Sequence, residues 1–167
     1  GSARAIALSV DSCARAASID PRRGAARAVA EGARNVACAG ARPAAITNGL
    51  NLGDPGRPEV AWALAETVDG IAEACRALGL PVTGGNVSLY NESDGAGIDP
   101  TAVIGTLGII ESADRALGVA PAGRGAAAVL LLGPVRGRAA LSPGRSPGAA
   151  DGSPLGGSAY LEIVHGV

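Results

Sequence analysis

Apolar residues recur at intervals of four and three through Val60, Leu64, Val68, Ile71, Cys75 and Leu78. That spacing puts one continuous stripe on an amphipathic helix. Pro58 and Glu59 open the helix and Gly79 ends it, as helix starts and stops are usually built. Glu66, Asp69, Glu73 and Arg76 fall off the stripe and are expected on a solvated face. A second helix is predicted over residues 20–39, with Asp20 as N-cap, Pro21 at the first helical position and Gly40 as the stop. Its buried side would carry Val29, Ala33 and Val36. Short apolar runs predict strands at residues 5–10, 44–47, 81–87 and 103–110. The first delivers Asp11 at its end, and the second leads into a loop running through Gly53. Strand, helix, strand, helix, strand, strand is an α+β order.

Beyond residue 110 the pattern changes. Residues 114–125 read as a linker, and 126–132 as the first strand of a new half-domain. Residues 133–157 are rich in proline and glycine, too broken to bury a core, and are expected to be disordered without a ligand role.

Composition narrows the classes. A chain of 167 residues holds one domain, or one and part of another. Its net charge of −1 gives no reason to expect nucleic acid or an acidic membrane as partner. All fourteen cationic residues are arginine, and lysine, phenylalanine and methionine are absent. The core must therefore be built from Ala, Val, Ile and Leu, which bury less apolar area per residue and imply modest stability. Cys13, Cys38 and Cys75 are odd in number and form no CxxC pair, which speaks against a disulfide framework or zinc site and for a reducing compartment. Cys75 sits on the helical stripe, where core packing outweighs a redox role. No leader is visible and no run approaches the ~18 apolar residues of a membrane span, so a cytoplasmic protein is expected. Gly1-Ser2 has the form of a tag-cleavage remnant.

The chemistry-bearing stretch is Val82-Thr83-Gly84-Gly85-Asn86-Val87-Ser88-Leu89-Tyr90-Asn91-Glu92. Glycines admit close backbone approach and offer amide donors of the kind that cradle phosphate. Positions two apart on a strand share a face, so Asn86 and Ser88 could address one anionic ligand or metal. The plainer alternative is a strand-entry turn with polar residues facing water. Asp11, beside Ser12, suits either a turn or a ligand contact at a strand end. Asp94 before Gly95 reads as a turn carboxylate.

The longer string around this stretch resembles phosphoribosylformylglycinamidine synthase, the amidotransferase of the fourth step of purine biosynthesis. The resemblance is carried by Leu8-Ser9-Val10-Asp11, Asp20-Pro21-Arg22-Arg23-Gly24 and Ala30-Glu31-Gly32-Ala33-Arg34-Asn35-Val36. It continues through Ala45-Ile46-Thr47-Asn48-Gly49-Leu50-Asn51-Leu52-Gly53, Gly85-Asn86-Val87-Ser88-Leu89-Tyr90-Asn91-Glu92 and Pro100-Thr101-Ala102-Val103-Ile104-Gly105. A later echo is Leu155-Gly156-Gly157-Ser158-Ala159-Tyr160-Leu161. Members of the family are much longer, so the resemblance implies a fragment. Residues 3–113 would be an AIR-synthetase-like A half-domain lacking its first strand, with a mixed or antiparallel sheet and two main helices. Residues 126–167 would open an α+β B half-domain.

The family's reaction consumes ATP and glutamine-derived ammonia, so the resemblance implies ATP, Mg2+, formylglycinamide ribonucleotide and a glutaminase subunit or domain. It further implies that Asn48 and Gly85 contact ATP, that Asn86 is a magnesium ligand, and that Ser88 contacts the ribonucleotide. Many relatives carry aspartate at position 48; asparagine keeps an acceptor but loses a charge. Asn51 either supports the nucleotide site or caps a turn. The family's catalytic histidines belong to the first A half, so no catalytic residue is assigned here, His165 included. The first A half is the implied partner, with self-association of the fragment through an exposed sheet face. A non-catalytic nucleotide-binding or structural half-domain is the competing reading. Aminoimidazole ribonucleotide synthetase shares the fold but not the Gly-Asn-Val-Ser-Leu-Tyr-Asn-Glu string.

Overall fold

A computed structural model describes residues 3–118. The described residues all fall within one compact unit. The expected linker beyond residue 118, the half-domain from 126 and the disordered segment 133–157 lie outside the described residues.

The elements run β1 (Ala5–Ser12), α1 (Ala14–Ile19), α2 (Pro21–Cys38), β2 (Arg42–Asn51), α3 (Pro58–Leu78), β3 (Val82–Ser88), β4 (Glu92–Ser93), β5 (Ala96–Gly97) and β6 (Thr101–Ile110). Four strands form one sheet in the order β1-β6-β2-β3. β6 is antiparallel to both β1 and β2, whereas β2 and β3 are parallel, as a strand-helix-strand crossover through α3 requires. The fold is therefore α+β with a mixed sheet and two long helices.

Capping chemistry sets the helix limits. The Asp20 side chain accepts a hydrogen bond from the Arg23 amide at 2.9 Å, and Pro21 occupies the first turn of α2. Gly79 ends α3 in the left-handed conformation. The helices cover one face of the sheet. Val29 of α2, Ile71 and Cys75 of α3, Ile46 and Leu50 of β2 and Ile104 of β6 share the main core.

The helical stripe on α3 is met in part: Val60, Leu64, Ile71 and Cys75 pack on the core. Ala63, Thr67, Gly70, Ile71 and Cys75 are the buried residues, whereas Val68 and Leu78 are about half exposed. The cause is the close approach of α2, because a Cβ on Gly70 would lie 2.8 Å from the Arg22 carbonyl carbon. Small residues line that contact, which leaves Val68 and Leu78 outside it while Val60, Leu64, Ile71 and Cys75 of the stripe still pack on the core. Glu66, Asp69 and Glu73 do not face water alone: all three surround the Arg22 guanidinium across the helix pair.

Two short elements carry no apolar period and escape the sequence pattern: α1 and the β4–β5 hairpin. Asp94 and Gly95 both have positive φ at that hairpin's tip, the backbone of a primed two-residue turn, and Asp94 is a turn residue as read from the sequence. β1 runs on through Ser12 and β2 on through Asn51. Asn48 and Asn51 therefore lie in a strand, not in the expected loop, because β6 extends far enough to pair with both. Asp11 is buried inside β1. Its carboxylate accepts hydrogen bonds from Ser9 and, at 2.6 Å, from Asn35 of α2, so it fastens the helix to the sheet.

Candidate functional site

The parallel pair β2–β3 sets Asn48 beside Gly85, Gly49 beside Asn86 and Asn51 beside Ser88. Which face each residue occupies follows from β6, since directly opposed residues of an antiparallel pair project together. Asn48 is opposite Ile104, and Leu50 is opposite Ala102. Both partners are buried beneath the helices. Asn48 and Gly85 therefore belong to the helix-side face. Gly49 is opposite Val103, and Asn51 is opposite Thr101, so Gly49, Asn51, Asn86 and Ser88 occupy the other face.

The two expected sets of contacts are thus separated by the thickness of one strand. Asn86 and Ser88 stand together as a polar strip. Asn48 and Gly85 back onto them from the opposite side. β3 is the edge of the sheet and is exposed along almost its whole length. A ligand lying over that edge could reach both faces, whereas one confined to either face could not.

Close fits explain the residue types. The Asn86 carboxamide leans over Gly49, whose added Cβ would lie 3.1 Å from Asn86 Oδ1. Asn48 lies closer still to Gly85, whose Cβ would be 2.5 Å from Asn48 Oδ1. Thr47 Oγ1 donates to the Gly84 carbonyl at 2.9 Å, and Thr83 Oγ1 donates to the Ile46 carbonyl at 3.1 Å. These bonds tie β3 to β2 from side chains as well as backbone.

The strip offers carboxamide oxygens and a hydroxyl, groups that bind and orient but do not exchange protons near neutrality. Among the described residues no cluster of three His, Cys, Asp or Glu could by itself hold a metal ion. Asn86 supplies one neutral hard oxygen, which suits magnesium held mainly by water and phosphate oxygens. A separate cavity of about 220 Å³, lined by Ala17, Pro21, Leu52, Val60, Ala63 and Ile98 among others, includes none of the four expected site residues.

Asn91 is the residue that sequence reasoning passes over. It belongs to the same string, but nothing in its spacing shows that its amide turns back onto Ser88. Its Nδ2 lies 3.1 Å from Ser88 Oγ and its Oδ1 3.2 Å from the same atom.

Residues 1–110 match the family described as AIR synthase related protein, N-terminal domain. Across its whole length the chain is 46% identical to phosphoribosylformylglycinamidine synthase subunit PurL of Symbiobacterium thermophilum, of which it spans 19%. PurL of Thermotoga maritima complexed with ATP is similar over 64% of this chain and 18% of its own, at 39% identity and a TM-score of 0.60. The same protein complexed with FGAR is similar over 63% of this chain and 17% of its own, at 40% identity and a TM-score of 0.59. The chain thus spans about a fifth of the length of the relatives it matches.

Proposed function

Because the chain belongs to the AIR synthase related family through its N-terminal domain, we propose that it is part of a phosphoribosylformylglycinamidine synthase. That enzyme is an ATP-dependent ligase. It converts formylglycinamide ribonucleotide and glutamine-derived ammonia to the amidine, with release of ADP and phosphate. The observation that carries the reading is the 46% identity to a PurL subunit sustained along the entire chain.

In this reading the chain binds and positions, and supplies no proton-transfer group. Gly85 lets ATP approach the edge strand, with Asn48 supporting the nucleotide from the helix-side face. Ser88 donates its hydroxyl hydrogen to an anionic oxygen of the ribonucleotide. Asn86 Oδ1 would be one of the groups that hold a magnesium ion, a neutral hard oxygen suited to it. When bound, that ion neutralises triphosphate charge. The catalytic base comes from the first A half-domain of the same enzyme, which packs on the open sheet face, and ammonia comes from a glutaminase subunit or domain. We place the enzyme in the cytoplasm, in keeping with an odd number of unpaired thiols and no described helix long and apolar enough to cross a membrane.

The test is steady-state amidination by the intact synthetase. Ser88→Ala should raise KM for the ribonucleotide, and Asn86→Ala should raise the magnesium concentration needed for half-maximal rate. Unchanged kinetics in both variants, with ADP and magnesium still bound, would instead favour a nucleotide-binding half-domain without chemistry.

A further inference from the structure

Asn91 follows β3 in a tight return that no regular element explains. Tyr90, just before it, has φ of 61°, a left-handed conformation that a bulky residue adopts only when its surroundings enforce it. The enforcing contacts are specific. The Tyr90 amide donates to the Gly53 carbonyl at 2.9 Å, and the Asn91 amide donates to the Leu52 carbonyl at 3.1 Å. The Asn91 side chain adds its own set. Nδ2 donates to the Leu52 carbonyl at 3.1 Å and to the Ser88 carbonyl at 3.0 Å. Carbonyl oxygens only accept, so these two bonds identify the nitrogen end of the amide. The oxygen end is then left 3.2 Å from Ser88 Oγ, positioned to accept its hydrogen.

From this geometry we infer that Asn91 is the positioning residue for the Ser88 hydroxyl, an inference that rests on the proposed contact between Ser88 and the ribonucleotide. Without ligand, Ser88 donates to Asn91 Oδ1. An arriving anionic oxygen competes for that hydrogen, and the hydroxyl rotates toward it. Nδ2, 3.1 Å from Ser88 Oγ, then shares with that oxygen, in a three-centre bond, the hydrogen it gives the Ser88 carbonyl, and keeps the hydroxyl in place. The carboxamide can hold Ser88 in both states because it carries an acceptor and a donor side by side. The strained Tyr90 backbone is the cost of bringing it there.

The experiment is a double-mutant cycle in the intact synthetase, reading KM for formylglycinamide ribonucleotide, KM for ATP, and thermal stability. Asn91→Ala should raise the ribonucleotide KM about three- to tenfold, the worth of one hydrogen bond, with little change for ATP. In a Ser88→Ala background the same substitution should add nothing to that KM, while any loss of stability persists. Asn91→Asp, of nearly the same size, keeps the acceptor but loses both donors and adds a negative charge facing the incoming anion. It should raise the ribonucleotide KM further than alanine does. An equal rise with and without Ser88 overturns the inference, since the effect would then come through loop structure alone. A silent Asn91→Ala, or Asn91→Asp at wild-type KM, also overturns it while leaving the role of Ser88 intact. A Ser88→Ala enzyme with unchanged ribonucleotide KM overturns the reading of Ser88, and this inference with it.

Discussion

A methyl group on Gly85 would sit 2.5 Å from Asn48 Oδ1 and closer still to the Asn48 carbonyl oxygen, so β2 and β3 keep their spacing only with hydrogen at that position. Gly85→Ala should therefore cost about 1–3 kcal/mol in a thermal melt. Adding Asn48→Ala should recover only part of it, because the carbonyl clash is backbone and remains. A Gly85→Ala chain melting at the wild-type temperature would mean that the strand pair yields without cost. Thr67 tests the opposite case. Its hydroxyl is buried on α3 without a hydrogen-bond partner, and an unsatisfied buried polar group costs on the order of 1–3 kcal/mol. Thr67→Val keeps the branched shape and should raise stability by about 1 kcal/mol; a lower melting temperature would show that a partner for the hydroxyl had been removed. The sequence made the alternation of Asn86 and Ser88 legible, because period two is a property of any strand. It left hidden that Asn48 faces the other way, because that depends on pairing with β6 some fifty residues later in the chain.

The α2–α3 pair shows why periodicity located a helix and most of its buried stripe, Val60, Leu64, Ile71 and Cys75, but not the seam with its neighbour. Apolar size marks the expected stripe, whereas contact is decided by how closely two backbones approach, and that is set at Gly70 against Arg22. Alanine at position 70 would gain about 1 kcal/mol of helix propensity. It would also place a methyl 2.8 Å from the Arg22 carbonyl carbon and force the helices apart. The steric term wins, so Gly70→Ala should lower stability by at least 1 kcal/mol net, measured by denaturant titration; a gain would mean the seam is loose. Across the same pair, Arg22 Nε donates to Glu73 at 3.0 Å. That hydrogen bond holds the Glu73 carboxyl below its ordinary value of 4.5 and raises the Arg22 guanidinium. A depressed folded-state pKa contributes stability at pH values above the unfolded one, and that contribution is lost as pH falls through the folded one. Wild type should thus be slightly more stable than Glu73→Gln at neutral pH, with the gap closing in acid and shrinking in high salt because the pair is exposed. A gap that widened in acid would contradict this assignment. Element existence was legible wherever a long period or a cap signalled it. The α1 turn and the β4–β5 hairpin were not, since too few residues are involved for any period to emerge.

The face of the sheet opposite the helices has a composition that only the assembled fold reveals. Ile6, Leu8 and Val10 alternate along β1 and are 64%, 70% and 74% exposed. Ile109 and Leu107 of β6 stand directly opposite Ile6 and Leu8. Alternation with apolar residues outward and small or polar ones inward reverses the usual one-sided sheet. Here the helix-side partners on β1 are Ala5, Ala7 and Ser9. A strand so arranged is stable against α2 only because the helix lies close, and its outward side chains gain nothing until covered. The contiguous apolar surface predicts association of the isolated chain. Sedimentation at rising concentration should show the mass moving from monomer toward dimer. Leu8→Glu combined with Val10→Glu should hold the chain as a monomer with an unchanged circular dichroism spectrum, because both side chains already point to solvent and no core contact is lost. The affinity does not follow from area alone, since rotational freedom and side-chain ordering offset much of the gain; the sign of the shift between the two proteins does. A wild-type chain that stayed monomeric at high concentration would leave these residues exposed without a partner. A double variant that still dimerised would put the contact elsewhere, on the open edge of β3.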